Sequence, residues 1–195
     1  MIPRELQPPH LLSAYAAGIF PMALPDDELG WFAPDPRAII PLDGFRVTRS
    51  LRQVYRRAAF DLTVDRRFEA VIAACAQRRA GTWISPGIVE AYTELHRRGF
   101  AHSVESWSGG ELAGGLYGVA LRGVFCGESM FHRKTDASKV ALVYLVERLR
   151  ARGYRLLDVQ FMTDHLRRFG AIEIARGEYE KRLSRALEAE VSFVD

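Results

Sequence analysis

The sequence is short of the features that would place a protein in most specialised classes. It has two cysteines, Cys75 and Cys126, in 195 residues and no C-x-x-C pair. That excludes a disulfide framework and a cysteine-based structural zinc site and leaves both thiols reduced and buried. Lysine is scarce, with only Lys134, Lys139 and Lys181. The longest apolar run, Val140 to Val146, is bounded by charges and falls well short of the roughly 20 residues that span a bilayer. Met1 to His10 carries Pro3, Glu5, Pro8 and Pro9 where a secretory signal requires an apolar stretch, so the expected compartment is the cytoplasm. There is no Walker-type phosphate loop. His102, His132 and His165 show no H-E-x-x-H or paired-cysteine spacing, so no metal is expected. Gly127-Glu128-Ser129-Met130-Phe131 begins like a nucleophile elbow, but Phe131 takes the place of the closing glycine and would crowd the turn.

What the chain does contain is arginine, unevenly placed. Nine arginines fall between Arg46 and Arg79, against Asp61, Asp65 and Glu69, while the formal net charge of the whole chain is only +3. Such an imbalance suits the phosphate backbone of RNA, which attracts cations without regard to sequence.

Periodicity gives the layout. Leu11 to Gly18 reads as a short helix, and Pro25, Gly30, Pro34, Pro36 and Pro41 then punctuate a loop-rich stretch, with a boundary near residue 36. Residues 48–59 and 65–79 show helical spacing, the second with Asp65 as its cap, and Ser85 opens a third helix that ends at Gly99. Ala101–Trp107, Leu112–Leu121 and Val124–Phe131 read as an antiparallel meander turned at Gly109-Gly110 and Arg122-Gly123. A long helix capped by Asp136, a strand over 155–160, a short helix over 164–168 and a last strand complete an α+β layered fold.

Four strings place polar or aromatic groups where packing alone would not require them: Gly114 to Gly118, Gly127 to Phe131, Asp136 to Lys139 and Leu157 to Gln160. Strand alternation puts Asp158 and Gln160 on one face and Leu157 and Val159 on the other; by the same rule Glu128 and Met130 share a face. Met22, Trp31, Phe32, Trp83 and Met130 are candidates to line an apolar pocket.

These strings, with Leu11 to Pro21, Trp31 to Arg37 and Gly81 to Ile84, resemble the leucyl/phenylalanyl-tRNA–protein transferase family in order and spacing from about Leu11 to Leu183. The resemblance implies a small N-terminal domain over residues 1–36 and a domain over 37–195 with a fold like the GCN5-related acetyltransferases (GNAT-like). It implies transfer of Leu or Phe, and less well Met, from aminoacyl-tRNA to proteins beginning with Arg or Lys, which marks them for degradation. No cofactor is implied, and neither a membrane nor DNA is expected as a partner. By similarity Met22, Trp83 and Leu116 line the aminoacyl side-chain pocket, and Glu128 lies beside the terminal aminoacyl-adenosine. Ser129 and Met130 join the substrate-binding set, and Arg49, Arg52, Arg56, Arg57, Arg78 and Arg79 hold the tRNA. Asp158 and Gln160 match the pair regarded as catalytic in the family. An orienting and electrostatic role suits them better than proton abstraction, because a neutral amide is a very weak base. Met22 stands where members commonly carry Trp, and the chain lacks the Gly-rich lead-in many members have.

Two rivals are open to test. An acetyl-CoA-dependent acetyltransferase needs a Q/R-x-x-G-x-G/A turn, and both Arg78-x-x-Gly81-x-Trp83 and Arg167-x-x-Gly170-x-Ile172 fail at its last position. A non-catalytic RNA-binding module leaves Glu128, Asp158 and Gln160 without a role.

Overall fold

The computed structural model describes residues 6–25, 28–77 and 82–194. The N-terminal segment forms α1 (Pro8–Ala16), β1 (Phe20–Ala23) and β2 (Leu29–Phe32), followed by β3 (Arg37–Ile40), α2 (Arg49–Arg56), β4 (Asp61–Val64) and α3 (Phe68–Ala76). Then come α4 (Pro86–Arg97), β5 (Ala101–Ser108), β6 (Glu111–Leu121), β7 (Val124–His132), α5 (Ala137–Ala151) and β8 (Leu156–Gln160). Last are α6 (Asp164–Arg168), β9 (Ile172–Ile174) and α7 (Arg176–Leu187). The architecture is α+β, as the periodicity predicts.

Local chemistry accounts for most boundaries. Thr48, Ser85 and Thr163 cap α2, α4 and α6 by accepting from the N–H groups of Leu51, Ile88 and Leu166. The first turns of α1 and α4 carry proline, where no N–H is needed. Two expected caps differ. Asp65 sits at φ +57° ahead of α3, and its carboxylate accepts instead from the N–H of Ser103 and pairs with His102. Asp136 does precede α5, but at φ +66° its side chain accepts from Lys139 and caps nothing. The proline-punctuated stretch is a hairpin, not loop: β1 and β2 pair from Phe20↔Phe32 to Ala23↔Leu29. Strands β3 and β4 and helix α7 also escape the periodicity reading. β3 is buried along its length and so does not alternate.

Seven strands form one sheet in the order β4-β5-β6-β7-β8-β3-β9, in which β7 and β8 are parallel and every other pair is antiparallel. Each face buries its own apolar layer. On one side Leu11, Tyr15, Phe20, Ile72, Tyr92, Tyr117 and Tyr179 unite α1, β1, α3, α4 and α7 in a single cluster. On the other, Leu51, Leu116, Phe125, Leu142, Leu145, Leu157 and Phe193 gather under α2 and α5. The N-terminal segment thus shares its core with the body of the protein.

Two irregularities shape the middle of the sheet. β7 and β8 pair only where Val124–Cys126 face Leu156–Asp158, yet β7 continues along β6 as far as His132. The parallel strands therefore part company, and the gap between them is open. In β7 the register against β6 slips between Tyr117 and Gly118: Gly118 faces Gly127 and Tyr117 faces Ser129. Glu128 is the extra residue of a β-bulge. Alternation fails there, so Glu128 reaches the α1 side at Tyr15 while Met130 packs against the α5 layer. The expectation that Glu128 and Met130 share a face is corrected by this one inserted residue.

Gly118 is what lets the bulge form, since a Cβ there would stand 2.3 Å from the carbonyl oxygen of Cys126 and 2.4 Å from the ring of Phe125. Gly118→Ala is expected to destabilise the fold by about 3 kcal/mol, the upper part of the usual overpacking range. Urea denaturation at neutral pH measures it.

Candidate active site

Where β7 and β8 separate, a cavity of about 430 Å³ opens. Met22 from the β1–β2 hairpin, Trp83 from the segment before α4, Leu116 from β6, and Leu142 and Leu145 from α5 supply apolar wall. The hairpin and the Trp83 segment are joined by the hydrogen bond from Ala23 N to Trp83 O at 3.0 Å. Glu128, Ser129, Gln160, Thr163 and His165 supply polar groups, with Phe161 also on the lining. Of the sequence-derived substrate residues, the structure brings Met22, Trp83, Leu116, Glu128, Ser129 and Met130 together on one cavity.

The two residues expected to work as a pair occupy different positions. Gln160 lines the cavity; Asp158 does not, and is fully buried behind it. Both Asp158 oxygens are engaged. Oδ1 accepts from Arg37 Nε at 2.9 Å and from the backbone N–H of Gln160 at 3.0 Å. Oδ2 accepts from Arg37 Nη2 at 2.6 Å and from the Tyr179 hydroxyl at 2.9 Å. The remaining Arg37 nitrogen donates to the carbonyl of Gly18 at 2.9 Å, and its guanidinium lies over the rings of Phe20 and Tyr179. A carboxylate so enclosed has no lone pair aimed at the cavity. Its evident effect is on Gln160, whose backbone sits at φ +58°, a left-handed conformation that L residues rarely adopt and that the Asp158 bond secures.

Glu128 is the carboxyl on the cavity lining. Its Oε1 accepts from the Tyr15 hydroxyl at 2.8 Å and from Gln160 Nε2 at 3.4 Å, and Tyr15 is in turn hydrogen-bonded to the hydroxyl of Tyr92. Burial pushes the Glu128 carboxyl up to about 8; the Tyr15 bond and Arg37 pull it down, and Asp158 pushes it further up. Burial likewise raises both tyrosines, with the charge of Glu128 next in importance.

Tyr15, Arg37, Tyr92 and Tyr179 are the residues to which sequence reasoning assigned no role. For Arg37 the signal lies in the fold and not in the sequence: a buried carboxylate obliges a cationic partner, and Arg37 stands at the end of the neighbouring strand. The tyrosines carry no local signal, since each occupies an ordinary core position in a helix. The arginines expected to hold RNA divide in two. Arg49, Arg52 and Arg56 are exposed on α2, and Arg57 ends it. Arg78 and Arg79 lie outside the described residues. Among the described residues no cluster of His, Cys, Asp and Glu could hold a metal ion, and no helix is long and apolar enough to cross a membrane.

An apolar cavity whose lining also carries a fixed amide and a carboxyl has the make-up of a small-molecule or acyl-group binding site. Comparison with known proteins makes the class specific. The chain belongs to the leucyl/phenylalanyl-tRNA protein transferase family: the family profile matches residues 39–184, and the profile of that family's N-terminal domain matches residues 4–35. It is 56% identical over 190 residues to the leucyl/phenylalanyl-tRNA–protein transferase of Salinibacter ruber, covering 96% of this chain and 83% of that one. It is 57% identical over 194 residues to that of Rhodopseudomonas palustris (97% and 86% covered) and 54% over 190 residues to that of Rubrobacter xylanophilus (97% and 99%). The protein is therefore an aminoacyltransferase. Among solved structures, the L-PGS of Bacillus licheniformis aligns at a TM-score of 0.44 and 17% identity over 79% of this chain and 53% of that one, too loose a likeness to define a shared fold.

Two outcomes follow from the geometry. Arg37→Met leaves Asp158 buried without its counter-charge and is expected to cost about 3–5 kcal/mol of stability, read by chemical denaturation. The folded Glu128 carboxyl is raised from 4.5 to about 8, so this group's contribution to stability is complete below pH 4.5 and is lost as the pH climbs to about 8. Glu128→Gln is expected to flatten the fall in melting temperature across that window relative to the parent protein.

Proposed function

We propose that this enzyme moves Leu or Phe, and less well Met, from aminoacyl-tRNA to the N-terminal amine of proteins that begin with Arg or Lys, marking them for degradation in the cytoplasm. The observation that carries the reading is one cavity with an apolar wall of Met22, Trp83 and Leu116 and the polar groups of Glu128 and Gln160. The aminoacyl side chain fills the apolar part, which sets its ester carbonyl beside the polar groups. The amine nitrogen forms a bond to the carbonyl carbon, the bond from that carbon to the ribose oxygen breaks, and the proton lost by nitrogen goes to the ribose oxygen. The ester arrives activated, and no step draws on a metal or a nucleotide.

In this reading Gln160 orients the amine and Asp158 acts through it as a positioning residue, with Glu128 beside the adenosine and Ser129 and Met130 contacting the aminoacyl end. The exposed arginines of α2, Arg49, Arg52 and Arg56, with Arg57, Arg78 and Arg79, hold the acceptor stem. The domain division at residues 1–36 and 37–195 is supported by two family profiles that abut near that point. A GNAT-like fold for the larger part is supported by a parallel strand pair that separates to form the site.

The test is transfer of labelled Leu or Phe from charged tRNA to a peptide starting with Arg. RNA binding without transfer would assign the protein to the non-catalytic class. Asp158→Asn is expected to lower turnover by about a hundredfold through misplacement of Gln160, with a much smaller effect on tRNA affinity. Trp83→Ala is expected to raise the KM for charged tRNA at least about tenfold, since much of the apolar contact is lost.

A further inference from the structure

The cavity has a side that the aminoacyl group does not explain. His165, on α6, lines it, and its ring Nε2 is buried without a hydrogen-bond partner among the described residues. Its pKa is lowered, first by burial and then by Lys139 on α5 and Arg168 on α6, with His132 at the end of β7 contributing in the same direction. Lys139 gives Asp136 one bond at 2.8 Å and keeps the rest of its donors, with its side chain 41% exposed. Arg168 is exposed.

The end of α6 is joined to the segment that leads into the helix expected to meet RNA. Beyond Arg168 the carbonyl of Phe169 accepts from the N–H of Arg46 at 2.9 Å, and the rings of Phe45 and Phe169 are stacked with centroids 5.6 Å apart. Arg46 is followed three residues later by Arg49, the first residue of α2. Arg46 is thus held at the end of α6, three residues ahead of the exposed arginines of α2.

The same cavity lining includes Phe161, one of the few large apolar side chains left exposed, at 45%. Its ring is held edge to face by Phe20 with centroids 5.7 Å apart. A fixed exposed ring beside a group of cations is what a single-stranded nucleotide recognises: the ring stacks on a base, and the cations meet the phosphate. A free inorganic anion would have no use for the ring.

We propose that Lys139, His165 and Arg168, with His132 at the edge, form a phosphate subsite that holds the backbone of the last nucleotides of the tRNA, while Phe161 offers a stacking surface to one of their bases. This rests on the reading of the cavity as the aminoacyl site and extends it. The subsite takes the strand as it leaves the cavity and passes it toward α2. Neutral His165 donates from the nitrogen that now lacks a partner, so a bound phosphate also satisfies a buried polar atom.

The test uses two probes with an amide in place of the labile ester: 3′-phenylalanylamido-adenosine, which has no phosphate, and the same group at the end of the trinucleotide CCA. Binding of both is measured by calorimetry at several salt concentrations, with the parent protein and with Lys139→Gln/Arg168→Gln, a half-buried and an exposed position whose folding is checked by melting temperature. The trinucleotide is expected to bind the parent about tenfold more tightly than the nucleoside at low salt. In the double variant that ratio falls toward one, and the slope of log affinity against log salt for the trinucleotide drops by about 0.7 per lost phosphate contact. A ratio and slope unchanged by the substitutions overturn the subsite, as does a parent protein that binds both probes equally. Failure of the nucleoside probe to bind at all overturns the cavity reading itself, and the subsite with it.

Discussion

The ion pair between Arg37 and Asp158 is the constraint around which the site is assembled. It ties β3 to β8, reaches the end of α1 through the carbonyl of Gly18, and takes in α7 through the hydroxyl of Tyr179. Both side chains are essentially excluded from solvent. Burying two charges is costly, and such a pair is weak evidence for stability as such. What it does fix is geometry: every hydrogen-bonding site on the carboxylate is committed, and one of them holds the main chain of Gln160 in a conformation it would not otherwise keep.

The cavity follows from two departures from regular pairing in the same strand. β7 leaves β8 after Cys126 and admits an extra residue at Glu128. The first departure opens space between parallel strands; the second puts Glu128 and Met130 on opposite faces of β7. Tyr15 and Tyr92, each wholly buried, then hold the carboxyl from the helical layer. Both apolar layers contribute to the walls, so the slot passes from one face of the sheet toward the other.

How much of this was legible in the sequence depended on the reach of each signal. The meander, its turns at Gly109-Gly110 and Arg122-Gly123, and the long α5 follow from local periodicity and are found. Alternation correctly sends Asp158 away from Leu157 and Val159, which pack against the α5 layer. It fails at Glu128, because a bulge is a property of two strands and leaves no mark on one. The burial of Asp158 was likewise invisible, since its partner lies 121 residues away. β3 was lost for lack of any polar residue after Arg37 to mark a face, and the hairpin because its prolines read as breaks. Family resemblance supplied what periodicity could not, namely which of the scattered polar and aromatic residues meet.

The hydrogen bond between Ala23 and Trp83 joins two segments of the cavity wall through their main chains. The frame that carries Met22 and Trp83 is thus set by main-chain atoms, and the two side chains pack from it against the apolar layer. Under the proposed function, exchanging Met22 for another side chain changes the room available to the aminoacyl group and leaves the hydrogen bonds of Glu128 and Gln160 in place. Under the proposed function, selectivity and reactivity are thus housed in separable parts, and a point substitution at Met22 is able to retune the first and leave the second intact.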